Sequence, residues 1–159
     1  MHEKIVEIWT DGAAKGNPGP GGYGVVLSYK DKKGEVHRKE LCDAFLDTTN
    51  NKMEVLAAIV ALKELKEPCT VRLTSDSKYL VDAFNKGWVT SWQKENFRIG
   101  KKDEVKNIDL WKELISLTNI HKVTFSWVKG HAENEENNRC DTLANIAIKK
   151  LLEGKDVNV

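Results

Sequence analysis

Three strand-type runs precede the first helical segment, and strand and helix patterns then alternate to the end of the chain. This order constrains the fold more than any other feature. The first run is Lys4 to Asp11 (Lys-Ile-Val-Glu-Ile-Trp-Thr-Asp). The Gly-Asn-Pro-Gly-Pro-Gly-Gly segment at 16–22 is predicted to end it at Asp11, being unable to continue a strand or start a helix. Tyr23 to Tyr29 and Glu35 to Ala44 are the second and third runs, with turn residues at 31–34 between them, so an antiparallel meander is expected. Thr48, Thr49, Asn50 and Asn51 are N-cap types ahead of a helix over Met53–Leu65, whose apolar run Val55–Leu62 predicts cover on most sides. Thr70 to Ser75 forms a fourth strand ending at Asp76, followed by a helix over Ser77–Phe84. A helix over Asn107–Leu117, a strand over 123–128 and an amphipathic helix bearing Cys140, Leu143, Ala144, Ala147, Ile148 and Leu151 complete the chain. Trp88, Trp92 and Trp111 bracket the polar stretch Gln93–Lys106, which reads as a projecting excursion with Trp111 in the core beneath it.

Composition narrows the class. At 159 residues, 40% hydrophobic and 31% charged, the chain matches a single domain, 1–159, with a core large enough to fold unaided. Twenty-five Lys and Arg against twenty-four Asp and Glu leave a net charge of +1, so any nucleic-acid contact must use local patches and not a global basic field. The run Val55–Leu62 is far short of the roughly 20 apolar residues a membrane span needs. Met1 to Trp9 alternates like a strand and not like a secretory leader. Cys42, Cys69 and Cys140 are an odd number without a C-x-x-C pair, which argues against a disulfide framework or zinc site and fits a reducing cytoplasm. No membrane partner is expected, and a monomer is.

If the first strand runs upward, the meander brings the third strand up, the first helix down, and the fourth and fifth strands up parallel to the first. The expected fold is α/β, a mixed sheet covered by helices. Asp11 and Asp76 then end two upward strands, while Glu54 and Asp141 lie in the first turns of two helices at the same rim. Taken singly, Asp11 reads as a turn former, Asp76 as a helix cap, and Glu54 and Asp141 as acids favoured near helix N-termini. Together, four clustered carboxylates repel unless protonated or bridged by a cation, and strand ends are where open α/β sheets bind ligands. All-oxygen donors favour Mg²⁺ or Mn²⁺ over zinc, and two such ions suit in-line phosphoryl displacement, making phosphodiester hydrolysis the leading chemistry. His131, in Gly-His-Ala, is a solvated loop histidine or a proton shuttle beside this rim. The glycine-rich loop lacks the G-x-x-x-x-G-K-[ST] pattern of a nucleotide cradle and reads as a tight bend permitting close backbone approach.

Six separated blocks carry a resemblance. They are Thr10-Asp11-Gly12, the loop Gly16 to Gly24, Thr48 to Glu54, Thr74-Ser75-Asp76-Ser77, Trp127 to Ala132 and Asn137 to Asp141. With these the chain resembles the bacterial type 1 ribonucleases H from about Lys4 to about Leu152. The resemblance implies a ribonuclease H-like fold, a five-stranded mixed sheet of three antiparallel and two parallel strands. It also implies endonucleolytic cleavage of the RNA strand of RNA/DNA hybrids, leaving 5′-phosphates and 3′-hydroxyls. Asp11, Glu54, Asp76 and Asp141 would hold two Mg²⁺ ions, with Mn²⁺ as a substitute, and His131 would assist near the leaving group or in product release. Telling RNA from DNA requires contact with the 2′-hydroxyl. The resemblance assigns that contact to Asn17, Asn50 and nearby backbone, with Glu54 beside a 2′-hydroxyl as well as a metal. Thr49, Asn50 and Trp88 match DNA-strand elements, the first two near a DNA phosphate.

The sequence also departs from the family pattern. The segment at about 86–106 corresponds to a strongly basic handle, but Glu95, Asp103 and Glu104 interrupt it here, and Asp47 precedes the phosphate-facing block. Weaker hybrid binding is expected. A hybrid- or dsRNA-binding module without catalysis would have no use for four acids and a histidine at one rim. A nuclease domain detached from a reverse transcriptase or recombinase is a third reading. A chain beginning at its first strand and ending just past its last helix favours a free-standing protein over it.

Overall fold

The computed structural model describes residues 5–99, 103–104, 107–129 and 134–155. Its elements in chain order are β1 (Ile5–Ala14), β2 (Gly19–Lys30), β3 (Val36–Thr48), α1 (Asn50–Lys63), β4 (Thr70–Ser75), α2 (Lys78–Asn85) and α3 (Trp88–Lys94), then β5 (Arg98–Ile99), β6 (Asp103–Glu104), α4 (Ile108–Ile120), β7 (Lys122–Trp127) and α5 (Glu135–Leu152). The main sheet has the order β3-β2-β1-β4-β7. β1 and β3 pair antiparallel with β2, while β4 pairs parallel with β1 and β7. This is the five-stranded mixed sheet expected from the sequence.

Strand alternation sends side chains to two helical layers. Val6, Ile8, Val25, Leu27, Leu73 and Phe125 join Met53, Ile59, Leu62, Leu80, Trp111 and Leu114 in the larger core, beneath α1, α2 and α4. On the opposite face Val26 and Trp9 meet Cys140 and Leu143, and Ala44 meets Ala147 and Ile148, so among the described residues α5 is the helix that covers that side. The near-continuous apolar run of α1 is explained by its neighbours, the sheet on one side and α4 and α2 on others. Trp111 is fully buried, as expected, with its indole N–H donating to the Tyr79 hydroxyl at 2.9 Å. Among the described residues no helix is long and apolar enough to cross a membrane.

The structure corrects several boundaries. β1 continues three residues past Asp11, pairing Asp11 with Gly24, Gly12 with Tyr23, Ala13 with Gly22 and Ala14 with Gly21. The glycine-rich segment does not prolong β1, but from Gly19 onward it is the start of β2. Its glycines are required by close approach: a Cβ on Gly22 would stand 2.7 Å from the Asp43 carbonyl oxygen, and one on Gly24 would run into the Cys140 carbonyl of α5. The close backbone approach expected of this loop occurs where β2 meets β3 and α5. Asp76 does not cap α2. Ser77 does, accepting from Leu80 N at 3.1 Å. The segment at about 86–106 contains α3, which the polar composition concealed, and a short β5-β6 pair. Trp92 of α3 meets Trp111 edge-on with centroids 4.9 Å apart, anchoring the segment to the core.

Candidate metal centre and nucleic-acid interface

Three elements deliver three carboxylates to one point. Asp11 comes from β1, Glu54 from the second turn of α1 and Asp76 from the residue after β4, and one ligand oxygen of each lies within 4.8 Å of the others. Glu54 is fixed by two donors, Gly12 N to Oε1 at 3.1 Å and Ser75 Oγ to Oε2 at 3.5 Å. Ser75 Oγ in turn accepts from Ser77 N at 3.0 Å, so the turn between β4 and α2 is built onto the same acid. Asp141, in the second turn of α5, lines the same cavity as these three acids.

Burial and mutual repulsion dominate the electrostatics. Asp11 and Glu54 are only 5% and 7% exposed. The pKa of Asp11 is pushed up to about 10, first by burial, then by the charges of Glu54 and Asp76 and by hydrogen bonds with Asp141 and Asp76. Glu54 also rises well above the usual carboxylate range, through burial and then the Asp76 charge, against the donors from Gly12 and Ser75. The acids line an open cavity of about 350 Å³ together with Asn50, Asn137 and other residues, and no Lys, Arg or His is among its described lining residues. The missing counter-charge and an all-oxygen donor set fit a hard divalent cation such as Mg²⁺ or Mn²⁺. A second potential ligand group, Asp31, Glu35 and His37, sits on the β2-β3 turn, where Asp31 is already engaged by His37 Nε2 and by the Lys33 and Glu35 amides.

A neighbouring cavity of about 370 Å³ is lined by Asn17, Thr49, Asn50, Asn51 and Asn107, sharing Asn50 and Asn51 with the first. Asn17, Thr49 and Asn50 are thus brought together beside the acids. Asn50 Oδ1 accepts from Ala14 N at 2.6 Å, and Thr49 Oγ1 caps α1 by accepting from Lys52 N at 3.2 Å, while its O–H proton stays available to an outside acceptor. Trp88 lines neither cavity and lies on α3, 38% exposed. His131 lies outside the described residues.

Two residues were missed by sequence reasoning. Asn137 is 3% exposed and donates from Nδ2 to the Thr10 carbonyl at 3.4 Å, tying α5 to β1 beside Asp11. Its spacing of one helical turn before Asp141 was the available signal. Asn107 precedes α4 with φ of 60°, and Asn ahead of an amphipathic helix is a residue type that tolerates this left-handed conformation.

Known proteins resemble this chain in sequence and in fold. The RNase H family model matches residues 3–149. A curated ribonuclease H of Lachnoclostridium phytofermentans is 54% identical over 143 residues, covering 89% of this chain and 90% of that protein. The crystal structure of LC9-RNase H1, a type 1 RNase H with the type 2 active-site motif, superimposes with a TM-score of 0.84 at 30% identity, over 94% of this chain and 74% of that one. LC11-RNase H1 in complex with an RNA/DNA hybrid aligns with a TM-score of 0.69 at 28% identity, over 92% and 99% of the two chains.

Proposed function

The chain belongs to the ribonuclease H family and is a nuclease, and from that premise we propose that it cuts the RNA strand of RNA/DNA hybrids endonucleolytically, leaving 5′-phosphate and 3′-hydroxyl ends. One observation carries the reading: carboxylates from three separate segments meet within 4.8 Å, Asp11 and Glu54 buried and Asp76 partly so, without a basic neighbour among the described lining residues. Asp11, Glu54, Asp76 and Asp141 would hold Mg²⁺, or Mn²⁺ in its place, as two ions when substrate is bound. The ions would supply activation of the attacking water and stabilisation of charge at the scissile phosphate.

The chain's own residues do the rest. Gly12 and Ser75 hold the Glu54 carboxylate in place, and Asn137 ties α5 to β1 beside Asp11. With its oxygen engaged by Ala14 N, Asn50 offers its NH₂ as a donor to the shallow groove, where the 2′-hydroxyl distinguishes RNA from DNA. Asn17 serves the same groove. The Thr49 hydroxyl and Asn107 offer donors to a DNA phosphate from the shared cavity. The exposed Trp88 face meets the DNA strand by stacking. His131 moves a proton near the leaving group. The reading includes a single catalytic domain acting as a monomer in the cytoplasm.

The test is a panel of RNA/DNA hybrid, dsRNA, dsDNA and ssRNA with Mg²⁺, Mn²⁺ or EDTA, followed by end-group analysis. Cleavage confined to the hybrid, abolished by EDTA and leaving phosphatase-sensitive 5′ ends is expected. Cleavage of dsRNA at a comparable rate, or none of the hybrid, would overturn the proposal.

A further inference from the structure

Helix α5 reaches the acid cluster from the far face of the sheet, and four alternating charges tie its first turns to β3. Arg38 donates from Nε and Nη2 to Glu136, both at 3.0 Å, and Arg139 donates from Nε and Nη2 to Glu40 at 2.7 and 3.0 Å. Arg38 Nη2 also lies 2.9 Å from Glu40 Oε2, joining the two forks into one chain, Glu136–Arg38–Glu40–Arg139. The Arg139 guanidinium, helped by Arg38, holds the Glu40 carboxyl at about 2. Residues two apart share one face of a strand and residues three apart one side of a helix, so the two ladders match. A bidentate guanidinium fork fixes orientation as well as distance.

The placement of this latch on α5 matters more than its strength. At about 100° per residue, Cys140 and Ala144 define the side resting on the sheet, Glu136 and Arg139 fall on one flank, and Asn137 and Asp141 fall on the other. Rolling the helix about its axis therefore moves Asp141 and the latch together. Repulsion from Asp11, Glu54 and Asp76 pushes Asp141 outward, and α5, seated closely on Gly22 and Gly24 of β2, can yield to it by rolling about its axis. We propose that Glu40, with Arg38 and through Arg139 and Glu136, is a positioning residue for Asp141, fixing α5 at the roll that keeps that carboxylate in the cavity it shares with Asp11, Glu54 and Asp76. The proposal rests on Asp141 belonging to the metal-holding set.

These side chains are partly exposed, so a purely structural latch would give only a small loss of stability and nothing else. The experiment titrates Mg²⁺ into free Glu40→Gln protein and follows Tm, beside the hydrolysis rate at limiting and saturating Mg²⁺. The Mg²⁺ concentration for half-maximal rise in Tm should increase about 3-fold or more, below the roughly 10- to 100-fold typical of partners bonded directly to a ligand. The KM for hybrid at saturating Mg²⁺ should stay unchanged. Arg139→Lys, which keeps the charge and loses the fork, should give an intermediate shift even if the first variant folds poorly. In an Asp141→Asn background, Glu40→Gln should add nothing to the Mg²⁺ response, because the two effects pass through one group. An unchanged half-point in both single variants, or effects that add fully to Asp141→Asn, would overturn the latch. Asp141→Asn with a wild-type Mg²⁺ response would instead remove Asp141 from the metal-holding set.

Discussion

The Gly12 backbone N–H donates to Glu54 Oε1 across 3.1 Å, and a Cβ on Gly12 would stand 2.6 Å from the Met53 carbonyl carbon. The absence of a side chain at position 12 is therefore what allows α1 to approach β1 closely enough for Glu54 to reach Asp11. Gly12→Ala has backbone on the opposing side, which yields less readily than a side chain tip. The expected cost is about 1 to 3 kcal/mol, typical of overpacking, together with loss of Mg²⁺-induced stabilisation as Glu54 moves away. Urea midpoints with Mg²⁺ and with EDTA check both. A variant as stable and as Mg²⁺-responsive as wild type would show that the approach is not tight.

Asp11→Asn should abolish cleavage and yet stabilise the metal-free fold. The folded-state pKa of Asp11, raised from 3.8 to about 10, means that folded protein keeps a proton the unfolded chain has released. Metal-free stability is therefore full below the unfolded pKa and declines as pH rises above it, by at most about 1.4 kcal/mol per pH unit for each such group. Glu54 shifts in the same direction. Glu40 runs the opposite way, but its stabilisation is lost only below about pH 4.5. Burial lowers the His121 pKa below 6.5, so its contribution to stability falls as pH drops through that value in both proteins, and the wild-type minus Asp11→Asn difference is the useful quantity. In EDTA the variant should gain on wild type from pH 5.5 to pH 8, and Mg²⁺ should narrow the gap. A variant less stable than wild type at pH 8 in EDTA would make Asp11 mainly structural.

The convergence of Asp11 and Asp76 was legible in the sequence because each follows a β-type run whose direction the alternation of elements determines. The extension of β1 and β2 through the glycines was not. Single-residue propensity scores Gly21 and Gly22 as breakers, whereas β2 runs through both, the bare Gly21 leaving room for Ala13 and Thr48 and the bare Gly22 for Ala144 and Ile148 of α5, more than a hundred residues away in sequence. The latch was hidden for a similar reason. Arg38 and Glu136 are 98 positions apart, and each alone reads as an ordinary solvated charge. Helix α3 has too few apolar positions to stand out, and Trp92 is ordered by Trp111, a partner no local window contains.

His131→Ala should slow turnover and leave residual activity, since a positioned proton-transfer group contributes roughly 10²- to 10⁴-fold and the acids remain. The stability change should stay within about 0.5 kcal/mol, as for a surface substitution away from packing. Rates from pH 6 to pH 9 check the role. A variant rate equal to wild type across that range would remove His131 from the mechanism, and a large fall in Tm would assign it a structural one.

The final prediction concerns the excursion over Gln93–Lys106, where five basic residues (Lys94, Arg98, Lys101, Lys102 and Lys106) against three acidic ones (Glu95, Asp103 and Glu104) leave +2. Its root is fixed by Trp92 against Trp111 and by the Lys112 ammonium 5.2 Å from the Phe97 ring, so charge changes along it should not unfold the domain. Each phosphate neutralised adds roughly 0.7 to 0.9 to the fall of log affinity with log salt, and an excursion this weakly charged should give a shallow slope. Replacing Glu95, Asp103 and Glu104 with Lys should tighten hybrid binding at low salt and steepen the slope by about one unit or more. Turnover at saturating hybrid should barely move, because contacts made equally in ground and transition states change KM and leave kcat alone. Filter binding between 50 and 300 mM salt, beside kcat and KM, measures both halves. If affinity and slope stay at wild-type values, the excursion does not face the substrate, and Trp92 serves only to pack it against the core.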